Sequence, residues 1–132
     1  MTFKVLGLPQ TKGSTRLLFT KKGKAVVTSD NKQLRPWEHD VAICAMAGGV
    51  KVIEKGPVKV EVQFVLPRPR SARRGDVFSW KKPDVDKLLR AVLDALTGVA
   101  YHDDGQVSVI QAAKRFALAG EPAGASVSIS PL

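Results

Sequence analysis

The sequence predicts an α+β fold in which a mixed sheet carries two main helices packed on one face. The predicted elements follow in the order β, β, β, α, β, α, β, β, and this order has too little alternation for a doubly wound parallel sheet. The chain has 132 residues, of which 44% are hydrophobic and 25% charged, as in ordinary folded domains. We therefore expect one domain over residues 1–132, with an open sheet face that a partner chain can cover.

Three strands and a helix are predicted in the first half of the chain. Residues 2–8 form the first strand, and residues 17–28 form a hairpin around a lysine-rich turn that contains glycine. Apolar residues recur at helical spacing from Trp37 onwards, and Gly48-Gly49 ends this helix. The turn of the hairpin carries three lysines, Lys21, Lys22 and Lys24.

The second half begins with the most regular strand of the chain. Apolar and polar residues alternate over residues 57–66, which is the period of a strand with one buried face. A loop follows over residues 67–82, with two prolines and one glycine, and its length suggests a function or flexibility. Residues 107–118 and 125–129 are the last two predicted strands.

A strongly amphipathic helix is predicted from about Pro83 to Leu96. Gly98 fits its C-terminal cap. The polar side carries Asp86, Arg90 and Asp94 at i, i+4 and i+8, an exposed ladder that needs no function to explain it, although Arg90 lies near where a phosphate would bind. The apolar stripe that faces the core is formed by Val85, Leu88, Leu89, Val92, Leu93 and Leu96.

Membrane and disulfide-linked classes are disfavoured. No apolar stretch approaches the roughly 18 residues of a membrane span, and no basic region with a long apolar run marks the amino terminus. We therefore expect a cytoplasmic protein with no membrane partner. The single cysteine, Cys44, excludes an internal disulfide and is expected to be a buried structural thiol. His102 lies beside two acids, where an imidazole can act as a base or a metal ligand, but we expect a satisfied or solvent-facing side chain, and we expect His39 to be inert.

The charge of the chain favours a nucleic-acid partner. The net charge is +9 and the pI is near 10, although a basic surface alone can also serve solubility. The alternative for the loop at 67–82 is a solvated segment whose aromatic rings fold back onto the core. The loop combines phosphate-binding cations with two stacking rings, namely Arg68, Arg70, Arg73, Arg74, Lys81 and Lys82 with Phe78 and Trp80.

Acidic residues are concentrated in one part of this basic chain. Half of the twelve acids lie within residues 76–104. Asp84 and Asp86 come at the start of the amphipathic helix, and Asp103-Asp104 follows its end. Helix capping and turn formation would explain single acids at these places. Two carboxylates on one side of an extended segment repel each other unless a cation lies between them, and Mg²⁺ or Mn²⁺ prefers such oxygen ligands.

These acids belong to a longer pattern. It is Lys82-Pro83-Asp84-x-Asp86-x-Leu88-x-Arg90-x-x-x-Asp94-Ala95-Leu96, followed by Asp103-Asp104-x-Gln106-Val107. The pattern resembles the RusA family of Holliday junction resolvases, which are small endonucleases of phages and prophages. The resemblance implies a homodimeric, phage-derived enzyme of DNA recombination and repair, associated with the nucleoid. It also implies binding to four-way junctions and the use of Mg²⁺, with Mn²⁺ as a substitute, to nick two opposed strands symmetrically.

The resemblance assigns roles by position. Asp84, Asp86 and Asp104 would be catalytic metal ligands, with Asp103 a metal-site neighbour of lesser weight. Arg90 would be a catalytic cation at a position where the family usually has lysine, and arginine cannot donate a proton near neutral pH. Lys87 stands where the family usually has asparagine. The predicted DNA contacts are Arg16, Lys21, Lys22, Lys24, Arg68, Arg70, Arg73, Arg74, Trp80, Lys81, Lys82, Lys87 and Lys114.

Two other functions are compatible with these residues. One is a non-catalytic, basic, dimeric DNA-binding protein whose acids only cap helices and close turns. The other is a Mg²⁺-dependent phosphodiesterase that acts on RNA or on flapped DNA. Neutralising the acids distinguishes these functions. A nuclease would lose its cleavage activity and keep its DNA affinity, whereas a binding protein has no cleavage activity to lose and would keep or gain affinity.

Overall fold

A computed structural model describes the backbone of residues 1–13, 15–29 and 31–132, and the side chains outside residues 14–18 and 26–30. Within these ranges, no helix is both long and apolar enough to cross a membrane. The predicted order of elements is confirmed, and the fold is α+β. The elements are β1 (Thr2–Leu6), β2 (Thr15–Phe19), β3 (Ala25–Ser29), α1 (Leu34–Ala47), β4 (Val58–Leu66), α2 (Val85–Leu96), a 3-10 helix (Asp104–Gln106), β5 (Val107–Phe116) and β6 (Gly124–Pro131).

The main sheet is mixed and has the strand order β1-β6-β4-β5, while β2 and β3 form a separate hairpin. Strand β4 pairs antiparallel with β6 and parallel with β5. A parallel pair requires a crossover, because the chain must return to the start of the second strand. The loop at 67–82 and α2 make this return. Helix α2 therefore begins near the end of β4 and finishes near the beginning of β5.

One apolar core joins the sheet to both helices. The alternation predicted for β4 is confirmed, since its apolar residues from Val58 to Phe64 are buried. These residues pack in the same cluster as Trp37 and Val41 of α1 and Leu88 of α2. Burial of this apolar surface holds α2 rigidly on the sheet, and with it the acidic residues at both ends of the helix.

Three details differ from the predictions. Strand β1 ends at Leu6 rather than at residue 8, because its partner β6 begins at Gly124, which is paired with Leu6. Strand β5 ends at Phe116 rather than at residue 118. Cys44 is half-buried at the edge of the core and not fully buried.

Candidate active site

The first acidic pair lies at the start of α2. Asp84 is the residue before the helix and has an extended backbone, with φ −71° and ψ 134°. Its side chain accepts no capping hydrogen bond, and its nearest charged partner is Lys87, with 3.7 Å between Nζ and Oδ2. Asp86 is exposed in the first turn. Helix capping therefore does not account for Asp84, and both carboxylates face solvent.

A lysine from β5 holds the backbone just before this pair. The Nζ atom of Lys114 donates hydrogen bonds to the carbonyl oxygens of Lys81, at 2.5 Å, and Pro83, at 2.7 Å. Lys114 is half-buried in the strand. We predicted Lys114 as a DNA contact, and that role stays a prediction, but two of its three donors are directed at the protein.

The second acidic pair forms a closely bonded turn before β5. The Asp103 side chain accepts a hydrogen bond from Gly105 N at 2.7 Å. The Gln106 side chain accepts from the backbone N–H groups of His102 and Asp103, at 2.9 and 3.2 Å. The Gly105 N–H lowers the pKa of Asp103, whereas the hydrogen bond shared with Asp103 raises the pKa of Asp104. Asp103 is thus a structural cap, and Asp104 is exposed beside it.

The two acidic pairs lie at opposite ends of α2. The Tyr101 hydroxyl donates to the carbonyl oxygen of Leu93 at 2.7 Å, which docks the turn on the last part of the helix. Asp104 is close enough to Asp94 for that charge to help raise its pKa. A helix of 12 residues is about 18 Å long. Among the residues that the structure describes, no group of three or more His, Cys, Asp or Glu side chains forms a ready metal site.

Lys12, which the sequence analysis did not single out, forms ion pairs at the polar side of α2. Lys12 Nζ lies 2.7 Å from Asp94 Oδ2 and 3.5 Å from Glu38 Oε2, and the hydrogen bond with Asp94 raises the pKa of Lys12. No ion pair joins Asp94 to Arg90 in the described part of the chain, so the predicted ladder is replaced by the pair with Lys12. A long loop brings Lys12 to the helix, and no local pattern predicts such a contact.

Arg90 lies over the same loop. A Cβ atom placed on Gly13 would be 2.6 Å from Arg90 Nη1, and Gly13 has a φ of +100°. Only glycine adopts this conformation readily and leaves room for the guanidinium group. Arg90 remains exposed on the helix, one turn from Asp86.

The basic loop is partly ordered by its own arginine. Arg68 donates to the carbonyl oxygens of Asp76, at 2.6 Å, and Arg73, and its guanidinium lies 5.5 Å from the centre of the Phe116 ring. Arg73 N donates to the Asp76 carboxylate at 3.0 Å. Arg70 and Arg74 are exposed. Arg68 therefore shapes the loop, and its neighbours present charge to solvent.

A groove of about 880 Å³ is lined mainly by this loop, together with Leu8, Pro9, Leu66, Phe116 and, just before Asp84, Pro83. Trp80 lines the groove and is 77% exposed, and Phe78 is 62% exposed, so these rings do not fold back onto the core. Lys81 Nζ lies 5.1 Å from the centre of the Trp80 ring. The groove thus combines cations with an exposed ring directly before Asp84, a combination typical of surfaces that bind single-stranded nucleic acid.

The remaining predicted residues lie elsewhere. Lys21, Lys22 and Lys24 are exposed in the turn of the hairpin, and the side chain of Arg16 lies outside the described residues. His102 Nε2 is 2.5 Å from Glu54 Oε2 in an exposed pair. His39 is exposed on α1.

Comparison with known proteins covers most of the chain. The sequence model of a family described as endodeoxyribonuclease RusA matches residues 9–130. The chain is also 31% identical over 122 residues to the uncharacterized protein YqaN of Bacillus subtilis strain 168, covering 85% of this chain and 84% of that protein. The matched range contains both acidic pairs, Lys114 and the basic loop.

Proposed function

This chain belongs to the RusA family of endodeoxyribonucleases, and we propose that it resolves four-way DNA junctions by Mg²⁺-dependent, symmetric nicking of two opposed strands. The observation that carries this proposal is the pair of solvent-facing carboxylates, Asp84 and Asp86, beside a basic groove with an exposed tryptophan. A role in DNA recombination and repair, within the cytoplasmic nucleoid, follows from such a substrate.

The donors at the start of α2 fit a hard divalent cation in type. Asp84 and Asp86 offer only carboxylate oxygens, and neither is used in capping. Their mutual repulsion would be relieved by an ion between them. Asp104 is the third ligand in this proposal, with Asp103 beside it as the residue that fixes the turn.

In the proposed function, each set of residues at the site has a specific role. A bound Mg²⁺ would supply a water with a lowered pKa and positive charge for the phosphodiester. Arg90 and Lys87 lie on the same helix as Asp86 and would hold the phosphate from the polar side. The cations of the loop at 67–82 and of the hairpin turn would grip flanking phosphates, which position the DNA but carry no sequence information.

Two copies of the chain would complete each site. Mg²⁺ ligands lie within about 2.0–2.1 Å of the ion, whereas the two ends of α2 are about 18 Å apart. Asp84 and Asp104 of one chain therefore do not reach the same ion. A homodimer that places Asp104 of one copy beside Asp84 and Asp86 of the other solves this separation, and it provides two sites for two strands.

A cleavage assay tests the proposal directly. The parent protein is incubated with a labelled four-way junction and with a linear duplex of matched sequence, in Mg²⁺, in Mn²⁺ and in chelator, and the products are sized. We expect paired, symmetric cuts in the junction only when metal is present. Binding without cutting would favour the plain DNA-binding protein, and preferential cutting of RNA or flapped DNA would favour the other phosphodiesterase.

A further inference from the structure

Lys114 is placed where strand β5 meets the start of α2. The residue is paired in register with Phe64 of β4, one of the fully buried residues of the core. Its backbone is thus fixed in the sheet, while its side chain reaches the segment that leads into Asp84. A rigid strand is a precise support for a neighbouring site.

Hydrogen bonds from Lys114 hold the segment that leads into Asp84. Within the described part of the chain, no other hydrogen bond involves Lys81, Lys82 or Pro83. The two carbonyl oxygens accept from a charged group, and such bonds are shorter and stronger than neutral ones. The Pro83 carbonyl belongs to the peptide bond that joins Asp84, so its position sets the backbone of that residue.

We propose that Lys114 is a positioning residue that holds Asp84 in place by binding the carbonyl oxygens of Lys81 and Pro83. The effect of Lys114 on catalysis rests on the proposed nuclease function. Its hold on the backbone before Asp84, which we call the tether, does not. A phosphate contact would leave the ammonium directed at solvent. Here two of its three donors are already taken by the protein.

The neighbouring Arg115 provides a matched control. It is also a half-buried cation of β5, but its guanidinium binds Glu121 at 2.6 and 2.7 Å and the Phe116 carbonyl oxygen at 3.1 Å, and not the segment that leads into Asp84. Lys114→Met removes the tether, Lys114→Arg retains charged donors, and Arg115→Met removes a cation of the same strand without touching the tether. Lys114→Leu, which also lacks a donor, serves as a second variant if Lys114→Met does not fold.

The first readout is the ¹⁵N order parameter of the backbone amides at Lys82, Asp84 and Asp86, measured without metal or DNA. Rigid backbone gives about 0.85 and flexible backbone gives less than about 0.6. We expect the parent, Lys114→Arg and Arg115→Met to be rigid at these amides and Lys114→Met to be flexible. Unchanged order parameters in Lys114→Met, or in Lys114→Leu if only that variant folds, would overturn the tether.

The second readout separates positioning from DNA contact. Junction affinity in chelator should change by less than about twofold in Lys114→Met, whereas kcat in Mg²⁺ should fall by about tenfold or more and recover in Lys114→Arg. A loss of affinity with a salt slope smaller by about one, and an unchanged kcat, would overturn the proposal in favour of a phosphate contact. A parent that cuts no junction would overturn the proposed function, while the order parameters would still decide the tether.

Discussion

Identical residues in the two acidic pairs do different work because their neighbours differ. Asp84 and Asp103 each precede a helix, and the simplest alternatives from the sequence are a helix cap for Asp84 and an ordinary turn for Asp103. In the structure Asp103 accepts the N–H of Gly105, whereas Asp84 caps nothing. Capping depends on the backbone geometry at each residue, which in our proposal Lys114, 30 residues from Asp84 in the chain, helps to set, so the local pattern alone cannot predict it.

Asparagine substitutions test the carboxylates one at a time. Asp84→Asn, Asp86→Asn and Asp104→Asn keep the shape of the side chain but remove a negative ligand, so cleavage rates should fall by orders of magnitude. Junction affinity in chelator should persist or increase, because a charge near the phosphates is lost. Asp103→Asn should reduce the cleavage rate less, since the Asp103 side chain stabilises the turn. Single-turnover cleavage and gel-shift titrations measure both quantities.

The pair of Arg115 and Glu121 predicts a pH-dependent stability. The hydrogen bonds from Arg115 lower the pKa of Glu121 from 4.5 to about 2. Because the folded pKa is the lower one, the pair stabilises the fold above about pH 4.5, and this contribution is lost as the pH falls towards 2. We expect Glu121→Gln to lower the Tm at neutral pH, and the difference from the parent to shrink over this window in thermal melts.

A surface pair is the control for this measurement. Glu61 pairs with Lys59 at 2.7 Å, and both side chains are more than a third exposed. Glu61→Gln should change the Tm little at any pH, because exposed pairs contribute little. A Tm difference for Glu121→Gln that stays constant down to pH 2 would contradict the role assigned to its carboxylate.

At the scale of elements, the helices and strands follow from periodicity, but their arrangement does not. Alternation in β4 and the apolar stripe of α2 predicted both elements and the faces that they bury. The parallel pairing of β4 with β5 is a long-range contact, which no local period contains. This pairing places the acidic pairs at opposite ends of α2, although the sequence groups them within 21 residues.

The basic loop predicts a steep dependence of binding on salt. If about six phosphates are neutralised, junction affinity should fall about 10³-fold between 50 and 200 mM salt. Arg70→Ala and Arg74→Ala should each weaken binding to junction and duplex alike and reduce the slope by about one, because both side chains are exposed. Fluorescence anisotropy titrations at several salt concentrations measure this effect.

Substitutions of two further arginines serve as comparisons in this experiment. Arg68→Ala should weaken binding by disordering the loop, since its side chain bonds to two loop carbonyl oxygens. Arg35→Ala, at an exposed position of α1 outside the predicted DNA contacts, should leave the slope unchanged. A flat salt response of the parent, or an equal effect of Arg35→Ala, would show that the loop does not bind phosphates.

At the scale of the whole molecule, a single chain has one covered and one open sheet face. The covered face packs on α1 and α2, and the other carries polar side chains such as Lys4, Glu61 and Gln63 around a shallow cavity of about 490 Å³. The sequence predicted an open face and a dimer, but it did not predict that one chain would separate its acids. Because one chain keeps its two acidic pairs apart, the proposed chemistry requires a dimer.

Subunit mixing tests this requirement most directly. Asp84→Asn and Asp104→Asn chains are co-expressed with different tags, and the heterodimer is purified through both tags. If each site takes Asp84 and Asp86 from one chain and Asp104 from the other, one of the two sites in this heterodimer is intact. We predict that it nicks one strand of a four-way junction in Mg²⁺, whereas either variant alone is inactive. The control heterodimer of Asp84→Asn with Asp86→Asn should stay inactive. A mixed dimer of Asp84→Asn and Asp104→Asn that cuts no better than this control would contradict the shared carboxylate site.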